Sequence, residues 1–144
     1  MDVSGRDPAT LVPHAGAMCL ITRIVSADER EIVCSTSTHR SPDNPLRHAG
    51  HLASLHIAEY GAQVMAIHGG LLDPRARERG GLLAGVRDLT LAVARLDDIA
   101  ADIVIYAQRL IANPGGQIYS FIARASEREI AAGRVSVMFA GPSA

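Results

Sequence analysis

Four of the six histidines of this 144-residue chain fall within one stretch, THRSPDNPLRHAGHLASLHIAEYGAQ (38–63), as His39, His48, His51 and His56. Glu59 follows them inside a run of otherwise apolar residues. Imidazole titrates close to neutral pH and is the most frequent general base. A carboxyl buried among apolar neighbours is kept protonated by desolvation and serves as a general acid. Together such groups perform a paired proton transfer, in which one removes a proton and the other delivers one to a departing oxygen. The histidines lack metal-site spacing, because His51 and His56 are five apart and point to different helical faces. No metal is expected. The plainer alternatives are a strand-end His39 that caps a turn, and a Glu59 hydrogen-bonded at a polar gap or subunit interface.

The elements that must hold these residues follow from periodicity. Residues 19–28 (CLITRIVSAD) and 31–40 (EIVCSTSTHR) read as two paired strands. Residues 41–50 carry two prolines, an Asp-Asn pair and a glycine, and read as a loop. From Leu52 to about Ile67 the chain is apolar almost all round, which predicts a helix buried on most sides. The glycines in HGGLLDPRARERGG (68–81) predict its end, with His68 against the last carbonyls. The remainder reads as strands within 82–96, 101–112, 116–127 and 129–140, joined by turns at NPGG (113–116) and SERE (126–129). One helix enclosed by an antiparallel sheet is an α+β plan, with residues 1–10 as a flexible arm and 11–140 as a single domain. A single copy leaves sheet edges and part of the helix uncovered, so a homodimer or higher oligomer is expected.

Composition removes several functional classes. The chain is 48% hydrophobic but only 3% aromatic, so its core is aliphatic. A net charge of −1 gives no electrostatic case for nucleic acid. All basic residues are Arg, which excludes Schiff-base chemistry. The polar start, MDVSGRDP, lacks a secretory pattern, and no apolar run approaches the roughly 20 residues that span a bilayer. Cys19 and Cys34, placed in what read as adjacent strands, lack metal-ligand spacing. A reduced, cytoplasmic setting away from membranes is expected.

Two motifs carry a family resemblance. LVPHAGAMCLITRIV (11–25) resembles the opening of the hot-dog-fold 3-hydroxyacyl-acyl-carrier-protein dehydratases. Residues 39–63 resemble their active-site segment, a His-Pro loop running into a helix with E-x-x-A-Q, here Glu59-Tyr60-Gly61-Ala62-Gln63. THRSPDNPLR followed by EYGAQVMAIHGGLL is similar to a divergent branch linked to aryl polyene biosynthesis. The likeness runs from about Leu11 to Phe139. It departs from the family pattern in a longer, two-proline loop between His39 and Glu59. It departs also in Ala53-Ser54, where the helix start usually carries Pro and a small residue.

The resemblance implies a hot-dog fold and removal of water from a 3-hydroxyacyl thioester, giving the 2,3-enoyl thioester. The substrate would hang from the phosphopantetheine of an acyl carrier protein, and no cofactor is expected. His39 matches the catalytic base, and Glu59 the acid, the two coming from different subunits. Ser54 matches the position whose backbone amide holds the thioester oxygen. The residues themselves add His56, three before Glu59 and either a polar residue at the dimer seam or placed to touch that carboxyl or line the acyl channel, and Gln63, one turn after Glu59 and placed either to orient it or to satisfy a buried backbone group. His14 reads as structural. Arg75, Arg77 and Arg79 form either a docking patch for an acidic carrier or a solvated loop. The departures motivate a second reading, a non-catalytic hot-dog subunit in a heteromer with an active one. A third is acyl thioester hydrolysis, which the same fold supports.

Overall fold

In the computed structural model, which describes residues 1–12, 18–75 and 81–139, six strands and one long helix follow the order read from the sequence. Strands β1 (Arg23–Ala27) and β2 (Glu31–Thr36) form a hairpin whose turn is closed by Asp28. The Asp28 carboxylate accepts from the backbone amides of Arg30 and Glu31, both at 2.8 Å. Helix α1 (Ile57–Leu72) follows, then β3 (Gly81–Leu91), β4 (Ile103–Asn113), β5 (Gly116–Ala125) and β6 (Arg128–Phe139). The order across the sheet is β1-β2-β4-β5-β6-β3, with every neighbour antiparallel. Alternate residues enter the core, as Ile103, Ile105 and Ala107 do on β4 and Tyr119, Phe121 and Ala123 on β5. Helix α1 lies across this inner face and touches β2 through β6. This is the α+β, hot-dog arrangement that the resemblance implied.

The helix starts and stops later than the apolar pattern predicts. Leu52 and Ala53 are extended and clasp residues 94–97: the Leu96 amide donates to the Leu52 carbonyl at 2.8 Å, and Ala53 bridges Arg95. With their backbone groups committed there, helical geometry begins only with a 3-10 turn at Ser54–His56. This clasp fixes the helix start, where the family pattern uses proline. At the other end α1 continues through Gly69 and Gly70. A Cβ on Gly70 would sit 3.2 Å from the Leu11 carbonyl oxygen, so that glycine serves a close approach and not a stop. Asp73, extended as the residue before Pro74 must be, ends the helix.

Within residues 1–10, Asp7 caps a 3-10 turn over Pro8–Thr10, and Pro8 is buried. One smaller expectation changes. Cys19 precedes β1 and does not sit in a strand, whereas Cys34 is buried in β2, where desolvation pushes its thiol up to about 12. Among the described residues no helix is long and apolar enough to cross a membrane.

Gly61 shows how tightly α1 is seated. A Cβ there would meet the Phe121 ring at 3.0 Å. Gly61→Ala gains about 1 kcal/mol of helix propensity but overpacks the core by about 1–3 kcal/mol, so we expect net destabilisation in urea unfolding. Adding Phe121→Leu should recover part of that loss. A net gain of stability from Gly61→Ala alone would contradict this packing.

Candidate active site

His39 sits in a single 3-10 turn, Thr38–Arg40, just after β2, and is fully buried. Its Nε2 lies 3.1 Å from the Ile99 carbonyl oxygen and 3.0 Å from that of Ala101. Carbonyls only accept, so Nε2 carries the hydrogen. Nδ1 is left as a buried lone pair with no hydrogen-bond partner among the described residues. Burial lowers the His39 pKa, the flanking carbonyls oppose that in part, and Arg40 adds to the lowering. The result is a neutral imidazole with one unused basic nitrogen.

The surrounding backbone is gripped from several directions. The Arg40 guanidinium donates to the Ala100 carbonyl at 3.0 Å and pairs with Asp102 at 2.8 Å. Arg47 donates from Nη2 to the His39 carbonyl at 3.2 Å and from Nη1 to the Gly50 carbonyl at 3.1 Å. Asn44 is buried and donates from Nδ2 to the Thr38 carbonyl at 2.9 Å and to the Tyr60 hydroxyl at 3.0 Å. Its Oδ1 accepts from the Leu46 amide at 2.9 Å. His48 and His51 exchange both backbone hydrogen bonds across Ala49 and Gly50, with φ of 51° and 78°, and both histidines are exposed. The two positive φ values are those of a tight type I′ turn.

Glu59 occupies the first turn of α1 and is exposed. The burial expected from its apolar surroundings is therefore not supplied by this chain alone. Those neighbours lie on other sides of the helix, while Leu55 (60% exposed), Glu59 and the half-buried His56, Ala62 and Ala66 form one open stripe. An acidic group also suits this end of the helix dipole. The structure thus brings His56 and Glu59 onto one side of the helix start.

Ser54 differs from its expected role, and Gln63 takes the second of the two expected for it. The Ser54 amide donates to the Ala94 carbonyl at 3.1 Å, so the clasp that pins the helix start occupies the group expected to hold a thioester oxygen. Gln63 is buried; its Oε1 accepts from the Leu20 amide at 2.7 Å and its Nε2 donates to the Met18 carbonyl at 2.6 Å. Both ends of that amide satisfy backbone. His68 lies inside the helix, because α1 runs on past it. Its Nε2–H donates to the Asp28 carbonyl at 2.6 Å and its Nδ1 accepts from the Tyr119 hydroxyl.

Asp97 is a group the sequence reading passed over. Its carboxylate accepts from the Leu52 amide at 2.8 Å and from the Arg95 guanidinium, which holds it well below the usual carboxylate range. The Arg-x-Asp spacing at the end of a strand-like run was its only signal. His14, Arg77 and Arg79 lie outside the described residues, and Arg75 is exposed. Among the described residues no group of three His, Cys, Asp or Glu side chains is placed to hold a metal ion.

Two measurements check this geometry. Ala49 adopts a left-handed conformation that costs an L-residue about 1 kcal/mol. Ala49→Gly should therefore raise the melting temperature, and a lower one would contradict the turn. Burial lowers the pKa of both His39 and His68. The unfolded chain binds those protons near pH 6.5 while the folded chain does not. Stability should be greatest above about pH 6.5 and fall as pH drops toward the folded-state values, by at most about 1.4 kcal/mol per pH unit for each group. Urea unfolding between pH 8 and 5 reads this slope, and His68→Gln should flatten it.

A family model described as "ApeP-like: ApeP dehydratase" matches residues 6–142. No curated protein matches the chain. Among solved structures, the dehydratase heterocomplex ApeI:P from Xenorhabdus doucetiae superposes with a TM-score of 0.81 at 17% identity, covering 94% of this chain and 92% of that one. A protein from Helicobacter felis, an HP0420 homologue, gives 0.65 at 8% identity over 98% and 93% of the two chains. A hypothetical thioesterase with coenzyme A from Streptococcus pneumoniae gives 0.57 at 12% identity over 83% and 85%.

Proposed function

The chain belongs to the ApeP-like dehydratase family, and on that premise we propose that it removes water from a 3-hydroxyacyl thioester on an acyl carrier protein. The product is the 2,3-enoyl thioester, within fatty-acid-like or polyene biosynthesis in the cytoplasm. The observation that carries this reading is Glu59, a carboxyl presented on an open apolar stripe at the start of α1. Covering that stripe with a second hot-dog chain shields Glu59 from water and closes the site around it. The second chain is another copy, or a different hot-dog subunit as in ApeI:P.

In the reaction Nδ1 of His39 takes the α-proton of the acyl chain, and the C–H electrons form the new double bond. Glu59 of the facing chain protonates the departing hydroxyl, the C–O bond breaks, and water leaves. His56 lines the acyl channel beside Glu59. Ser54 and Gln63 hold the site's frame through their backbone partners.

The test is incubation of the purified protein, alone and with a co-expressed hot-dog subunit, with a 3-hydroxyacyl carrier substrate, followed by mass spectrometry. Loss of water is expected, and Glu59→Gln and His39→Ala should each lower the rate by about a hundredfold or more. The complete burial of His39 favours a second reading, a non-catalytic subunit that supports an active partner. Activity of a complex that survives both substitutions would establish that reading. A free acid and thiol as products would indicate hydrolysis instead.

A further inference from the structure

Asn44, Thr38 and Tyr60 belong to the same motif as His39 and Glu59, and their hydrogen bonds run in one direction. The Asn44 amide is oriented by its own partners: Oδ1 takes the Leu46 N–H, so Nδ2 is the donor to the Tyr60 oxygen. The Tyr60 hydroxyl hydrogen then has Thr38 Oγ as its acceptor at 2.9 Å. Thr38 Oγ passes its own hydrogen to the Leu20 carbonyl at 2.7 Å. Thr36 Oγ donates to that same carbonyl and accepts from the Thr38 amide at 3.1 Å. Thr38 is thus held at its carbonyl, its amide and its hydroxyl, and it directly precedes His39.

We infer that Asn44 and Tyr60 are positioning residues for His39, holding the turn that aims its ring at the Ile99 and Ala101 carbonyls and leaves Nδ1 free. Tyr60 adjoins Glu59 in the first turn of α1, so its hydroxyl also ties the turn of the base to the turn whose acid serves the facing chain's site. Removing that hydroxyl takes the partner from one donor, Asn44 Nδ2–H, and from one acceptor, Thr38 Oγ, in a buried network. The Thr38 backbone then loosens, and the imidazole with it. The inference rests on His39 as the base of the proposed dehydration.

The experiment records nitrogen-15 spectra of the histidine rings in the full chain across a pH series, with kcat and KM measured in parallel. The unaltered protein should show His39 as the Nε2–H tautomer. Tyr60→Phe and Asn44→Ala should shift the His39 ring signals, raise their pH midpoint toward the ordinary histidine value, and lower kcat by about tenfold with little change in KM. Thr38→Val should repeat this, and Thr38→Ser, which keeps the hydroxyl, should not. An Nδ1–H tautomer, or ring signals unchanged in both Tyr60→Phe and Asn44→Ala, would overturn the inference even if His39→Ala is inactive. If His39→Ala is fully active, the catalytic reading falls separately, and the spectra still decide whether these residues position the ring.

Discussion

Burying a helix that carries polar side chains is the constraint on which this fold depends. Tyr60, Gln63 and His68 enter the interior with α1, and each must find partners or forfeit the desolvation free energy of its polar atoms. Tyr60 finds Thr38 and Asn44, Gln63 finds the backbone at 18–20, and His68 finds Tyr119 and the β1–β2 turn. Three peripheral segments are thereby tied to one rod. At 100° per residue Tyr60 and His68 lie well round α1 from Leu55, Glu59, Ala62 and Ala66, and Gln63 lies at the border of that stripe. One face of the helix organises its own chain, and the other is left open.

The two candidate reacting groups inherit that asymmetry. His39 belongs to the tied side, dry and neutral, with its ring fixed by carbonyls. Glu59 belongs to the open side and is wet in the single chain. Each has half of what proton transfer needs, a fixed base on one hand and an accessible acid on the other. The sheet edges β1 and β3 repeat the same incompleteness at the level of the backbone.

The sequence showed the element order, the single buried helix and the β1–β2 hairpin, because each rests on a local period or turn. It misplaced both helix ends for reasons that are not local. Leu52 and Ala53 look helical until residues 94–97 take their backbone groups, and Gly69-Gly70 looks like a stop until Leu11 arrives against it. The site was legible in residue type but not in role. Gln63 and Ser54 sit at motif positions, yet what they do is set by segments some forty residues away. The apolar neighbours of Glu59 suggest burial, although in a helix adjacent residues face different ways.

Most of these ties join a side chain on one segment to main chain on another. Gln63, His68, His39, Arg40, Arg47 and Thr38 each bond at least one main-chain carbonyl or amide, whatever side chains they also meet. A main-chain acceptor is the same chemical group whatever residue carries it. The receiving segments are therefore free to change composition while the bond survives, and the demand for a particular residue falls on a few donors alone. A fold framed in this way tolerates wide sequence drift without losing its shape, and a TM-score of 0.81 at 17% identity is what that tolerance allows.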